Sequence, residues 1–228
     1  MSSPDRKPWI KICGNTNLED AKLAVELGAN ALGFIFAPSP RRITPIEASR
    51  IIQHVDPAVE TIGVFVNQPA SVILSSARRA GLSGVQLHGD EDAKSVGTLQ
   101  ALARRDNTEL KVYKAVRMST IDNSFEWDSD ASKLLAGMVL DSGTPIQRGG
   151  TGRQFDWDAA APLVRVLARR ANIIIAGGIN AQNAARALSL FQPYGLDVVS
   201  GVESKPGKKD PAKLRAFFAA VRHVAQGK

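Results

Sequence analysis

Eight short apolar runs, each followed by a helical pattern, constrain this chain more than any other feature. They are Trp9–Cys13, Ala31–Phe36, Glu60–Val66, Gly84–His88, Leu110–Val116, Gly137–Asp141, Asn172–Ala176 and Leu196–Ser200. Most are continuously apolar rather than alternating, the pattern of parallel strands covered on both faces. Helix punctuation falls between them. Thr44-Pro45-Ile46-Glu47 reads as a capping box with proline at the first helical position. Thr16-Asn17-Leu18-Glu19 reads as a second box, and Asn180 and Asp210-Pro211 as further helix starts. Gly28, Gly81 and Gly195 each stand between a helical pattern and a strand, where glycine can take the left-handed conformation that ends a helix.

Eight βα units in 228 residues predict an α/β fold, a single-domain (β/α)8 TIM barrel over residues 1–228 with 1–8 as an N-terminal extension. The fifth helical unit reads as short or irregular, because Ser119–Ser132 is polar and carries Asp122, Asn123, Asp128 and Asp130. The competing arrangement is an open doubly wound sheet. That fold carries a glycine fingerprint after its first strand, and Cys13-Gly14-Asn15-Thr16-Asn17 is not one.

Composition narrows the function classes. Hydrophobic content of 44% and charged content of 22% are ordinary for a globular protein. No apolar run approaches the roughly 20 residues of a membrane span, so no membrane partner is expected. The N-terminus lacks the apolar core of a secretory signal, and the lone cysteine fits a reducing compartment, so the expected location is cytoplasmic. The net charge of +7 admits a nucleic-acid partner in principle. Against it, the basic residues fall in short pairs such as Arg78-Arg79, Arg104-Arg105 and Arg169-Arg170, with no interleaved aromatics to stack on bases. A small anionic substrate is the better use of the charge. His54, His88 and His223 are not spaced as metal ligands, and no nucleotide-binding turn or P-loop occurs, so no metal and no cofactor are expected. Monomer and homodimer fit equally.

In a barrel of this kind, catalytic groups come from the C-terminal strand ends and the loops after them. The polar residues at those positions include Cys13, Arg41, Asn67, His88, Lys114, Arg117 and Asp141. Cys13 ends the first run and Asp141 the sixth, and a thiol facing a carboxyl across a cleft is a base–acid pair. Plainer readings stand beside this one: a buried cysteine as a small hydrophobe, and Asp141 as the cap of its Asp-Ser-Gly turn. Lys11 shares the strand face of Cys13, either supporting a thiolate or forming a buried ion pair. Gly177-Gly178 and Ser200-Gly201 follow strands seven and eight, where barrels frequently hold phosphate. Arg148–Gly152 is a third glycine-rich loop, either a lid or a substrate contact.

Seven motifs then occur in a specific order. They are Ile10–Asn17 (IKICGNTN), Gly63–Asn67 (GVFVN), Val85–Glu91 (VQLHGDE), Leu140–Ser142 (LDS), Gly149–Trp157 (GGTGRQFDW), Ala176–Asn183 (AGGINAQN) and Asp197–Asp210 (DVVSGVESKPGKKD). From residue 9 to 225 the chain resembles the phosphoribosylanthranilate isomerase family of tryptophan biosynthesis. The resemblance implies a cofactor-free Amadori rearrangement of N-(5-phosphoribosyl)anthranilate to 1-(2-carboxyphenylamino)-1-deoxyribulose 5-phosphate. It implies Cys13 as general base, Asp141 as general acid, Arg41 at the anthranilate group, and Asp197 beside the substrate. The glycine loops, Gly177-Gly178 and Ser200-Gly201, match its phosphate site. His88, read at the rim, joins the substrate-binding set. Two positions depart from the family pattern: Val199 where a serine is usual, and Arg42 where a tyrosine is common, which makes Arg42 a rival of Arg41 for the carboxylate. Two alternatives remain: a related ketol isomerase, which would use paired aspartates, and a non-catalytic phosphate-sugar binder. Both proposed catalytic groups must also hold the protonation state opposite to the one each prefers in water.

Overall fold

The computed structural model describes residues 7–118, 133–142 and 156–225. Each of the eight runs is a strand: β1 (Trp9–Ile12), β2 (Ala31–Ile35), β3 (Glu60–Phe65), β4 (Gly84–Leu87), β5 (Lys111–Arg117), β6 (Gly137–Asp141), β7 (Ile173–Ile175) and β8 (Gly195–Val198). They pair in chain order, all parallel, and β8 closes on β1 through Trp9↔Gly195 to Ile12↔Val198. Closure removes the open-sheet alternative. The expected irregular unit at Ser119–Ser132, the Arg148–Gly152 loop and residues 1–6 of the extension lie outside the described residues.

The twofold period of a strand sorts its side chains into two cores. Outward residues such as Ile10, Ile12, Leu32, Phe34 and Leu140 pack under the helices with Val96, Leu99, Phe191 and Phe217. Inward residues form a smaller cluster of Trp9, Ala31, Ile62, Tyr113, Ala115, Val139, Ile174 and Ala176. At roughly 1.5–3 kcal/mol for each large apolar side chain fully buried, the outer layer supplies most of the drive to fold.

Local signals behave as their chemistry requires, with three corrections. Thr44 and Glu47 form the expected reciprocal box at the start of the helix Pro45–Ile52, and Asp210 caps Pro211–Ala225 by accepting from the amides of Ala212 and Lys213. Gly28 (φ 109°) and Gly81 (φ 75°) end their helices in the left-handed region, which a Cβ disfavours. The second capping box does not form. Asn17 caps the helix Leu18–Leu27 instead, and the Thr16 hydroxyl is drawn away to the Gly207 carbonyl, 2.5 Å distant. Asn180 stands four residues ahead of the helix Ala184–Phe191 and braces a turn there, accepting from the Gln182 amide. Gly195 lies inside β8, where a Cβ would stand 2.1 Å from the Trp9 carbonyl oxygen, and Gln192 ends that helix at φ 46°. The reason for this glycine is strand proximity rather than helix termination.

Past β8 the chain makes a 3-10 turn, Ser200–Val202, and a hairpin of β9 (Glu203–Lys205) and β10 (Lys208–Lys209). The hairpin is tied to the helix that follows β1: the Lys209 amide donates to Asp20 Oδ2 at 2.7 Å. No described helix is long and apolar enough to cross a membrane.

Candidate active site

Alternation along β1 sends Trp9, Lys11 and Cys13 into the barrel. Cys13 follows the last paired residue, and its amide still donates to the Val198 carbonyl at 2.9 Å. The thiol is buried over Gly33 of β2, where a Cβ would come within 2.4 Å of Sγ. A glycine at 33 therefore makes the thiol's seat. Asp141 ends β6 and is buried; His88 follows β4 and brings Nε2 to 3.5 Å from Asp141 Oδ2. The two residues singled out in the sequence thus occupy the same rim of one closed barrel.

One layer below the thiol lies a buried polar set. Lys11 Nζ stands 2.7 Å from Asp197 Oδ2 and 2.9 Å from Gln86 Oε1. Register sets the first contact, since Lys11 and Asp197 are paired neighbours on β1 and β8. The other carboxylate oxygen, Asp197 Oδ1, is buried without a hydrogen-bond partner. Such an orphan acceptor typically costs about 1–3 kcal/mol and marks a place where a ligand donor is wanted. Burial pushes the Cys13 thiol above its ordinary range; Lys11 pulls it back, Asp197 pushes it up again, and Lys209 helps to lower it, but burial prevails. Lys11 does both things considered for it: it closes a buried ion pair and opposes the rise of the thiol. Burial alone would lower the lysine, yet Asp197 and Cys13 hold it above its ordinary range.

A second buried cluster backs the thiol from the hairpin side. Arg41 Nε and Nη2 grip the Glu203 carboxylate at 2.7–3.0 Å. Lys209 Nζ donates to the Cys13 carbonyl at 2.5 Å and to Glu203 Oε1 at 3.2 Å. Burial alone would raise the Glu203 carboxyl, but the hydrogen bonds of Arg41 and the charge of Lys209 hold it below the usual range. Arg42 is exposed, bridging to Ile35, while Arg41 is buried. The two arginines therefore face different surroundings.

The glycine loops meet at the same rim. Gly177 and Gly178 sit at φ 79° and 70°. A Cβ on Gly177 would strike Ser142 Oγ at 2.1 Å, and one on Gly201 would strike the Ile179 carbonyl oxygen at 2.0 Å. The loops after β6, β7 and β8 therefore touch one another through glycine. Asn183 braces the β7 loop by donating to the Gly178 carbonyl at 2.9 Å. Val199, the departure from the family serine, packs where a Cβ on Gly14 would be 3.4 Å from Val199 Cγ1. Among the described residues no group of His, Cys, Asp and Glu could hold a metal ion.

Comparison with known proteins agrees with the closed barrel. The family model described as N-(5'phosphoribosyl)anthranilate (PRA) isomerase matches residues 10–220. The chain belongs to the phosphoribosylanthranilate isomerase family. It is 44% identical over 221 residues to the N-(5'-phosphoribosyl)anthranilate isomerase of Pelobacter propionicus, covering 94% of this chain and 96% of that one. Among solved structures, the phosphoribosyl anthranilate isomerase of Thermotoga maritima aligns with a TM-score of 0.82 at 36% identity, over 95% of this chain and 99% of that one. A further isomerase, solved with reduced 1-(o-carboxyphenylamino)-1-deoxyribulose 5-phosphate, aligns with a TM-score of 0.77 at 34% identity, over 95% and 99%.

As a member of this family the chain is an aldose–ketose isomerase of tryptophan biosynthesis. Several residues that shape its site escaped a strand-by-strand reading. Gln86, Glu203 and Lys209 find their partners Lys11, Arg41 and Cys13 at separations of 75, 162 and 196 residues. Nothing local distinguishes them from surface polar residues. The one available signal was position: Gln86 precedes His88 by two residues, on the inward face of its strand.

Proposed function

We propose that Cys13 is the general base and Asp141 the general acid in the isomerisation of N-(5'-phosphoribosyl)anthranilate to 1-(2-carboxyphenylamino)-1-deoxyribulose 5-phosphate. The observation that carries this reading is a thiol and a carboxyl, both inward and buried, on the C-terminal ends of β1 and β6 of one closed barrel. The Gly177-Gly178 and Ser200-Gly201 loops hold the phosphate through their backbone amides. Arg41, clamped by Glu203, presents Nη1 to the anthranilate carboxylate. Asp197 Oδ1, buried and unpartnered, accepts from a ribose hydroxyl. His88 lines the same pocket beside Asp141.

The chemistry then divides into two proton transfers. Asp141 gives its proton to the furanose ring oxygen as the bond from that oxygen to C1 breaks, leaving a Schiff base between C1 and the anthranilate nitrogen. Cys13, as thiolate, takes the proton from C2, and the electron pair of that C–H bond flows toward the iminium nitrogen. The resulting enolamine tautomerises to the ketone. Each transfer of this kind typically contributes about 10²–10⁴-fold. The buried thiol works as a base only while reduced, which supports a cytoplasmic location. Every group named comes from one chain, so a monomer or a homodimer serves equally.

The test follows the loss of anthranilate fluorescence when purified protein meets phosphoribosylanthranilate. Cys13→Ser and Asp141→Asn should each lower kcat by at least about 10²-fold with the circular dichroism spectrum unchanged. Near-wild-type turnover in either variant overturns the assignment.

A further inference from the structure

We propose that Gln86 is a positioning residue for the acid: it fixes the tautomer of His88 so that the ring presents an Nε2–H to Asp141. The inference deepens the reading above and rests on Asp141 being the acid. Its starting point is Lys11. A lysine ammonium has three donors and no acceptor, so the Gln86 atom 2.9 Å from Nζ must be the amide oxygen. Gln86 is 2% exposed, and its amide is wedged between Lys11 and His88. Its NH2 group then faces His88 Nδ1 at 2.9 Å. An NH2 group only donates, so Nδ1 must offer its lone pair. A proton on Nδ1 would point straight at the amide hydrogens. The neutral ring therefore carries its hydrogen on Nε2, which stands 3.5 Å from Asp141 Oδ2.

Three features make this a continuous device rather than a chance contact. Gln86 on β4 and His88 just beyond its end alternate onto the same inward face, so one run of chain aligns both side chains. Lys11 is itself anchored by Asp197 at 2.7 Å, which holds the lysine against the amide oxygen. The sequence of contacts Asp197–Lys11–Gln86–His88–Asp141 thus crosses the barrel from β8 to β6. At its far end lies the group whose charge changes in the first step. When Asp141 releases its proton it becomes a carboxylate, and a neutral Nε2–H beside it stabilises that charge as it forms. The opposite tautomer would turn a lone pair toward the new carboxylate, and Gln86 disfavours it through hydrogen-bond polarity. The 3.5 Å separation suits a contact that tightens when substrate draws the carboxyl inward.

Long-range 1H–15N correlation spectra of the 15N-labelled protein read the tautomer directly, with His88 assigned against His54 and His223 by its loss in His88→Asn. The expected wild-type pattern is a protonated Nε2 and an unprotonated Nδ1. Gln86→Glu supplies only acceptors and should move a proton onto Nδ1 while lowering kcat about 10–100-fold, with KM changed far less. Gln86→Met, which removes the amide without adding charge, should give a mixture of tautomers and a smaller fall in kcat. It also keeps the test decisive if the glutamate variant does not fold. A wild-type His88 protonated on Nδ1, or a Gln86→Met protein with the wild-type tautomer, overturns the proposal, even if kcat falls. Altered tautomers with unchanged kcat overturn it as well. Asp141→Asn separates this from the reading it rests on: full turnover there removes the acid, whatever tautomer the spectra record.

Discussion

The interior of this barrel has an apolar lower part and a polar upper part, joined along the same strands. In the lower layer Trp9 stacks on Tyr113 with ring centroids 5.8 Å apart and lies 5.9 Å from Tyr194, packed among Ile62, Val139 and Ile174. Further toward the C-terminal strand ends, the interior changes to Lys11, Gln86 and Asp197 and to Cys13, His88 and Asp141. The lower layer stabilises by area removed from water, and the upper one places charge out of water at a cost met only by pairing. The contrast teaches that one strand can serve both ends: a shift of two residues changes the physics while the backbone is unchanged.

Substitutions can break or sharpen this division. Trp9→Ala should lose about 3–5 kcal/mol of unfolding free energy in denaturant titrations, with kcat of the folded protein retained. A matching fall in kcat would show that the layers are mechanically coupled. Glu203→Gln leaves Arg41 and Lys209 buried without their counter-charge. Here the expected loss is about 3 kcal/mol, and steady-state kinetics should show KM rising more than kcat falls. Gly33→Ala forces a methyl into the seat of Cys13 Sγ. It should lower kcat by about 10–100-fold, equivalent to roughly 1.4–2.7 kcal/mol of barrier, and a variant with normal turnover would mean the thiol can move freely. Burial and Asp197 raise the thiol above its ordinary value of 9.0, so at neutral pH the free enzyme holds it protonated. The base form then gains about tenfold per pH unit, worth about 1.4 kcal/mol each, and kcat/KM should still be climbing at pH 9 rather than level from pH 7. Thr44→Ala, on the helix layer far from either interior set, should lose only about 1 kcal/mol and leave both kinetic constants alone.

Much of the architecture was legible because it is local. Continuous apolar runs mark strands covered on both faces, and all eight occur within two residues of where the pattern puts them. The misreadings came where a tertiary partner outbid a local one. Thr16 left its box for Gly207, and Gly195 answers to Trp9 across a strand pair rather than to the helix before it. Position at a strand end was likewise enough to bring Cys13 and Asp141 forward, since parallel strands in a closed barrel end on one rim.

What surrounds that pair was decided only on folding. The orphan oxygen of Asp197, the seat at Gly33, the clamp of Glu203 on Arg41 and the orientation of the Gln86 amide all depend on residues from different strands meeting at hydrogen-bond range. Period, caps and turn chemistry are written in neighbouring residues, so the sequence alone determined eight strands, their order and the two groups at the rim. Protonation and charge depend on burial and on distances of a few ångströms between remote residues. The tertiary structure alone decided them, because the energy of a buried charge falls off with distance in space and takes no account of distance along the chain.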